Sequence, residues 1–342
     1  MINRQSHRKD EHVSLAKKFH QPSQAGFMDL QFIPNGLPEL AVDNVNLTTT
    51  FVGHKLDVPF YIEAMTGGSP YTEKLNRQLA QIAKDTGVAL ALGSASVALK
   101  DPSCSQSFTV ARAVNPQGMI LGNVGAGVSP TGAQAVINLI QADALEVHIN
   151  VVQELVMPEG DRNFHWLANL QKIIETVSVP VIVKEVGFGL DQQTMERLQA
   201  IGVAAVNVGG SGGTNFAQIE NFRRPRKELD YFKEWGLTTV QSLYESHNVP
   251  DLQIVAAGGI TNPLEIAKAL YLGADAVGIA SEILTNLIDN GVAATVQMIN
   301  DWIYGLQAIF TALGVHNITE LRKRPVILSP NLESYLRQRQ LH

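Results

Sequence analysis

Eight short apolar runs, separated by amphipathic stretches, constrain this chain more than any other feature. They lie at 59–65, 88–94, 118–125, 144–150, 180–187, 204–210, 253–260 and 276–281. Each is nearly continuously apolar, as parallel strands covered on both faces are. The intervening stretch 71–86 sets Leu75, Leu79, Ile82 and Ala83 on one helical face. The stretch 191–202 opens on the cap candidate Asp191 and closes on a glycine, and 261–273 carries Leu264, Ile266, Ala267 and Leu270 before Gly273. Eight such units in 342 residues predict an α/β fold, a single (β/α)8 TIM barrel. A doubly wound open sheet is the alternative, but no G-x-G-x-x-G follows the first run, where a dinucleotide fold keeps it.

The expected organisation is one domain over 1–342, with an N-terminal extension at 1–55, the barrel at 56–290 and a helical tail at 291–342. The extension holds a possible amphipathic helix at 9–19. A long insertion at 210–250, after the sixth run, starts glycine-rich and continues into the basic, aromatic stretch 221–235. With 26 Lys+Arg against 32 Asp+Glu, the net charge of −6 argues against nucleic acid as a partner. A single cysteine excludes an internal disulfide framework and a multi-cysteine metal site. The strongly charged first dozen residues argue against a secretory leader. No apolar run is long enough for a membrane helix. A soluble, cytoplasmic protein is the expectation.

In a (β/α)8 barrel, functional groups collect where strands end at the C-terminal face. Here those ends read Glu63-Ala64-Met65-Thr66-Gly67-Gly68, Gly93-Ser94, Gly122-Asn123, His148-Ile149-Asn150, Lys184-Glu185, Gly209 to Thr214, Gly258-Gly259 and Ala280-Ser281. Any one glycine pair reads as a tight turn. Three glycine-rich loops after the last three strands point to a phosphate site, since glycines admit backbone N–H groups close to an anion. Lys184 stands on an otherwise apolar strand. It can meet a flavin ring or an anion, or form an internal ion pair with Glu154 or Glu185. In His148-x-Asn150-x-x-Gln153-Glu154, one carboxylate with neutral oxygen donors suits magnesium and not zinc. Taken alone, His148 reads as a hydrogen-bonded core histidine. Arg8 and His12 lie one helical turn apart and could converge on an anion, although from spacing alone a solvated charged helix explains them better. Cys104 has no paired histidine and receives no role.

Together, Arg8-Lys9-Asp10-Glu11-His12, Ala64-Met65-Thr66-Gly67-Gly68, the segment from His148 to Glu154, Lys184-Glu185-Val186-Gly187-Phe188-Gly189 and Gly212-Gly213-Thr214-Asn215-Phe216 resemble type 2 isopentenyl diphosphate isomerase, the flavin-dependent form. The motifs run in order from about residue 8 to residue 284. The resemblance implies a reduced-FMN enzyme that interconverts isopentenyl and dimethylallyl diphosphate, with Mg2+ on the diphosphate and NADPH needed only to reduce the flavin. It implies that Ala64, Met65, Thr66, Gly67, Ser94 and Asn123 hold the isoalloxazine and ribityl parts, and that Lys184 lies near the pyrimidine end. Thr214, Gly258, Gly259, Ala280 and Ser281 would meet the FMN phosphate. Arg8, Lys9 and His12 would reach the substrate diphosphate. His148, Asn150 and Gln153 would line the substrate site as catalytic candidates, with Gln153 orienting the alkene or relaying a proton. Glu154 would carry Mg2+, and the assembly would be a homotetramer or homo-octamer.

The chain departs from the family's pattern at Ala95-Ser96, Ser211 and Thr261, where basic residues are common; the contact of the arginine absent at Ala95-Ser96 is either missing or replaced by Arg223, Arg224 or Arg226. An FMN-dependent α-hydroxy acid oxidase would need a histidine base and an arginine after the sixth strand, where Gly209-Gly210-Ser211 stands. A flavin-binding sensor would not account for Arg8, Lys9, Gln153 and Glu154 together. An aldolase using Lys184 would not account for the glycine loops.

Overall fold

A computed structural model describes Glu11, Ser14, Leu15, Lys18, Phe19 and residues 23–341. The eight runs form the strands Phe60–Ile62, Leu90–Ala91, Ile120–Gly125, Ala144–His148, Val181–Lys184, Ala205–Asn207, Gln253–Ala257 and Ala276–Ile279. Each pairs in parallel with the next, and the eighth pairs with the first, closing the barrel. All but the third lose residues at the end that leads into the helix. There the glycines and polar residues leave the ladder and become the loops of the C-terminal face.

Alternation along the strands decides which side chains enter the barrel. Phe60 and Ile62 join the cluster under the outer helices, whereas Tyr61 joins the lumen cluster with Leu121, Ala144, Ile182, Ala205, Val255 and Ala276. Two residues further along five of the strands, the lumen turns polar with Glu63, Asn123, Glu146, Lys184 and Asn207, all buried. The apolar layer thus forms a dry floor beneath a charged one. A hairpin of Thr49–Phe51 and His54–Leu56 covers the other end, where Phe51 stacks on Tyr61 at 6.3 Å between centroids.

Helices 70–86, 192–200 and 263–271 stand close to their expected positions. Ser69 and Thr72 make a capping box on the first, while Asp191 and Asn262 cap the others. The insertion folds into helices Phe216–Arg223 and Thr239–Glu245 joined through a 3-10 turn. The tail is helical over most of its length, as expected, and departs from that at one short strand. After Ser281–Leu313, where two helices meet at a kink at Gly291, Val326–Leu328 pairs antiparallel with Leu30–Phe32. A three-residue strand has too few positions for a period of two to stand out. The tail packs on its own barrel, where Tyr335 and Arg339 close on the buried Glu245 at 2.7 Å. Among the described residues, no helix is long and apolar enough to cross a membrane.

Candidate functional site

The strand ends surround a cavity of about 280 Å³ at the C-terminal mouth. Its wall includes Ala64, Met65, Ser94, Asn123, His148, Asn150, Gln153, Glu154, Lys184, Thr214, Gly258, Gly259, Ala280 and Ser281. Of the expected flavin and substrate residues that the structure describes, Thr66 and Gly67 alone stand behind this wall. Gly67 packs on the Phe108 ring, and the Thr66 carbonyl accepts from Asn76 at 3.2 Å. The Thr66 Oγ1 hydroxyl is buried without a hydrogen-bond partner. Arg8, Lys9 and His12 lie outside the described residues.

The floor is a polar network contributed by five strands. Lys184 Nζ donates to Glu63 Oε1 at 2.6 Å and to Glu146 Oε2 at 3.4 Å. This corrects the expected internal partners Glu154 and Glu185, which lie beyond the lysine towards the mouth. The fourth strand neighbours the fifth, but barrel closure brings the first across to it, and sequence spacing does not display that approach. Asn207 Nδ2 donates to Glu63 Oε2 at 2.6 Å, and Asn123 Nδ2 donates to Glu146 Oε2 at 3.0 Å. The Tyr61 hydroxyl lies 3.3 Å from both carboxylates. Asn123 Oδ1 also holds His148 Nδ1 at 2.9 Å, which orients the imidazole at the cavity wall.

Two buried acids around one ammonium cannot both ionise cheaply. Burial pushes Glu146 up to about 7, and the neighbouring Glu63 charge adds to this. Burial acts to raise Glu63 as well, but the Lys184 ammonium outweighs it and holds Glu63 below the ordinary carboxylate range. For Lys184, burial acts to lower the ammonium, and the two carboxylates outweigh it and hold it above its ordinary value. Burial also raises Glu185, to about 8, against backbone N–H groups that pull it down.

A carboxyl raised from 4.5 to about 7 on folding supports the fold below 4.5 and loses that support as pH rises through 7. Glu146→Gln is therefore expected to gain stability relative to the parent between pH 4.5 and 7, on the order of 2–3 kcal/mol. Urea unfolding of both proteins at pH 5 and pH 8 measures the difference, and an unchanged difference would show Glu146 ionised throughout.

On the far side, the glycine loops pack backbone against backbone. Gly258 has φ +102°, and a Cβ there would overlap the Gly210 carbonyl; Gly259, at φ +68°, faces the Gly212 carbonyl. Next to them the helix Ser281–Leu313 starts at Ala280 without a side-chain cap. Its first turn opens into the cavity through Ser281 and Leu284, which suits an anion. In an eight-stranded barrel this eighth-strand end stands opposite the fourth-strand end, where Asn150 Nδ2 donates to Glu154 Oε1 at 3.0 Å.

Reasoning from the sequence passed over Tyr61, Glu146, Asn207 and Glu220. The first three were signalled by alternation, as in Glu146-Val147-His148. Glu220 is fully buried, lies 3.5 Å from the Gln153 amide and pairs with Arg223 at 2.5 Å. Arg223 also meets Glu159 at 2.7 Å, and Arg224 meets Glu228 at 2.5 Å. Neither lines the cavity, and Arg226 does not either. Among the described residues, no three His, Cys, Asp or Glu side chains are grouped to hold a metal ion.

Residues 111–328 match the family model described as FMN-dependent dehydrogenase. Over 339 residues the chain is 52% identical to an isopentenyl-diphosphate delta-isomerase of Latilactobacillus sakei, covering 98% of this chain and 97% of that one. Proteins of the same name from Listeria monocytogenes and Staphylococcus aureus are 43% and 42% identical, over 96% and 98% of this chain and 93% and 97% of theirs. Among solved structures, a Pediococcus acidilactici protein named as a lactate oxidase superposes with a TM-score of 0.68 at 13% identity, over 94% of this chain and 93% of that one. Mandelate oxidase bound to (S)-2-phenylpropionate superposes with a TM-score of 0.64 at 14% identity, over 93% and 90%. At these identities the likeness is one of fold.

Proposed function

The chain belongs to the isopentenyl-diphosphate delta-isomerase family, carried on an FMN-dependent dehydrogenase barrel, and from this we propose that its cavity holds reduced FMN and Mg2+ while moving the double bond of isopentenyl diphosphate by one carbon. The observation that carries this reading is the opposition of two walls. Glycine loops and an uncapped helix start suit a phosphate on one side, and a carboxylate with amides suits a hydrated cation on the other.

The residues fit FMN. Gly258, Gly259, Thr214, Ala280 and Ser281 form a cradle that side chains would fill. Lys184 presents a charge at the floor. When bound in its reduced form, FMN supplies acid/base chemistry beside the alkene. NADPH is the proposed reductant, needed once because the isomerisation has no net redox change.

The residues also fit Mg2+ shared with a diphosphate. Glu154 offers one carboxylate beside Asn150 and Gln153, so waters and substrate oxygens would complete the set. Glu11 lies 3.8 Å from Arg223, which pairs with Glu220 beside Gln153. Arg8, Lys9 and His12 are proposed to neutralise the diphosphate. Diphosphate binding then supplies remote energy that holds the alkene in place. Among the described residues, His148 is the single histidine that lines the cavity and no arginine lines it. An oxidase chemistry is correspondingly disfavoured.

The chemical step requires a proton to arrive at the terminal alkene carbon and another to leave the allylic carbon. Gln153 is placed to orient the alkene end or relay a proton, while Asn150, donating to its Oε1 at 3.2 Å, fixes its amide. Gln153→Ala is expected to lower kcat about 100-fold with KM little changed; full turnover in steady-state assays would remove Gln153 from the mechanism. The reading as a whole is tested by anaerobic incubation with FMN, NADPH, Mg2+ and isopentenyl diphosphate in D2O, followed by proton NMR. Dimethylallyl diphosphate deuterated in its methyl groups, formed only with flavin, is the expected product. No conversion with reduced FMN bound would reject the isomerase reading.

A further inference from the structure

We propose that Glu63 and Glu146 are positioning residues for Lys184: the two carboxylates clamp its ammonium at the cavity floor and set the charge that the flavin ring meets there. The inference rests on the reading that FMN occupies the cavity.

An ammonium has three donors. Two are taken by Glu63 at 2.6 Å and Glu146 at 3.4 Å, which leaves one for a ligand in the cavity that Lys184 lines. Glu63 directly follows the first strand and Glu146 stands on the fourth, and both meet the fifth-strand lysine. Each acid is itself fixed. Glu63 accepts from the Ala64 N–H and the Asn207 amide, both at 2.6 Å; Glu146 accepts from Asn123 at 3.0 Å; the Tyr61 hydroxyl lies 3.3 Å from both.

Stability does not explain the second acid. One carboxylate neutralises one lysine, and a further buried carboxylate costs desolvation that an apolar side chain would avoid. What it adds is a choice of charge. With Tyr61 un-ionised and one proton shared between Glu146 and Glu63 the floor is neutral, and without that proton it is negative. The other titratable groups nearby are His148, linked through Asn123, and Glu185, next along the fifth strand. A flavin ring gains electron density on reduction, so a neutral floor favours the reduced form more than a negative one does.

The test uses full-length protein reconstituted with FMN, in the parent and in Glu63→Gln, Glu146→Gln and Tyr61→Phe. Midpoint potentials at pH 6 and pH 8 give the ratio of affinities for reduced and oxidised FMN. Glu63→Gln is expected to raise the preference for reduced FMN about tenfold, the size of a one-unit electrostatic effect. Glu146→Gln keeps an oxygen for Lys184 and Asn123, so it is expected to match the parent at pH 6 and exceed it at pH 8. If the glutamine variants do not fold, Tyr61→Phe decides, because it deletes one hydroxyl and is expected to shift the ratio in the same direction. Wild-type ratios in every folded variant at both pH values would overturn the clamp while leaving the flavin reading intact. A parent protein that binds no FMN would overturn both.

Discussion

Lys184→Met is expected to destabilise the protein by about 3–5 kcal/mol near neutral pH, the cost of removing one partner from a buried ion pair. The substitution keeps much of the side-chain volume and removes the only cation within hydrogen-bond reach of Glu63 and Glu146 among the described residues. Both acids are fully desolvated, so without the ammonium they must stay protonated to remain buried. The sign of the pH dependence follows. In the parent, Glu63 is held below its unfolded value of 4.5, so it supports folding above that pH and loses this support as pH falls. In the variant its folded value rises above the unfolded one, and folding is penalised as pH rises. The gap between parent and variant therefore widens from pH 5 to pH 8. Urea unfolding without flavin measures it, and an equal gap at both pH values would assign the loss to packing instead of charge.

Gly258→Ala is expected to weaken FMN binding about 100-fold, equivalent to about 3 kcal/mol. Two penalties combine. The backbone at φ +102° is one that an L side chain rarely adopts, and the added methyl would overlap the Gly210 carbonyl. Relief requires the loops after the sixth and seventh strands to separate, which opens the phosphate cradle. Gly127→Ala is the control, since a Cβ there meets nothing within 4 Å. Flavin titration followed by fluorescence quenching reads the difference. Equal affinity for the two variants would show that these loops do not hold the cofactor.

Much of the site was legible because barrel chemistry is local to strand ends. His148, Asn150, Gln153 and Glu154 lie within seven residues, and the structure leaves them together on one wall. The glycine loops were legible for the same reason, since a glycine pair ending an apolar strand already limits what can approach it. The uncapped start at Ala280 was also visible in retrospect, because Ser69, Ser129, Asp191 and Asn262 cap comparable helices with side-chain oxygens. The antiparallel pairing of Leu30–Phe32 with Val326–Leu328 joins segments from opposite ends of the chain, and neither has a pattern of its own long enough to read.

The amino-acid sequence by itself determined eight parallel strands, their order, and which loops carry polar groups, because hydrophobic period and strand-end chemistry act over a few residues. Closure of the barrel decided the rest. Alternation shows that Tyr61, Glu63, Glu146, Lys184 and Asn207 point inward, but only the stagger of closed strands places a lysine 121 residues from Glu63 within 2.6 Å of it. A buried charge must be matched by whatever inward-facing group shares its depth. That depth is a property of the closed sheet and not of any one strand.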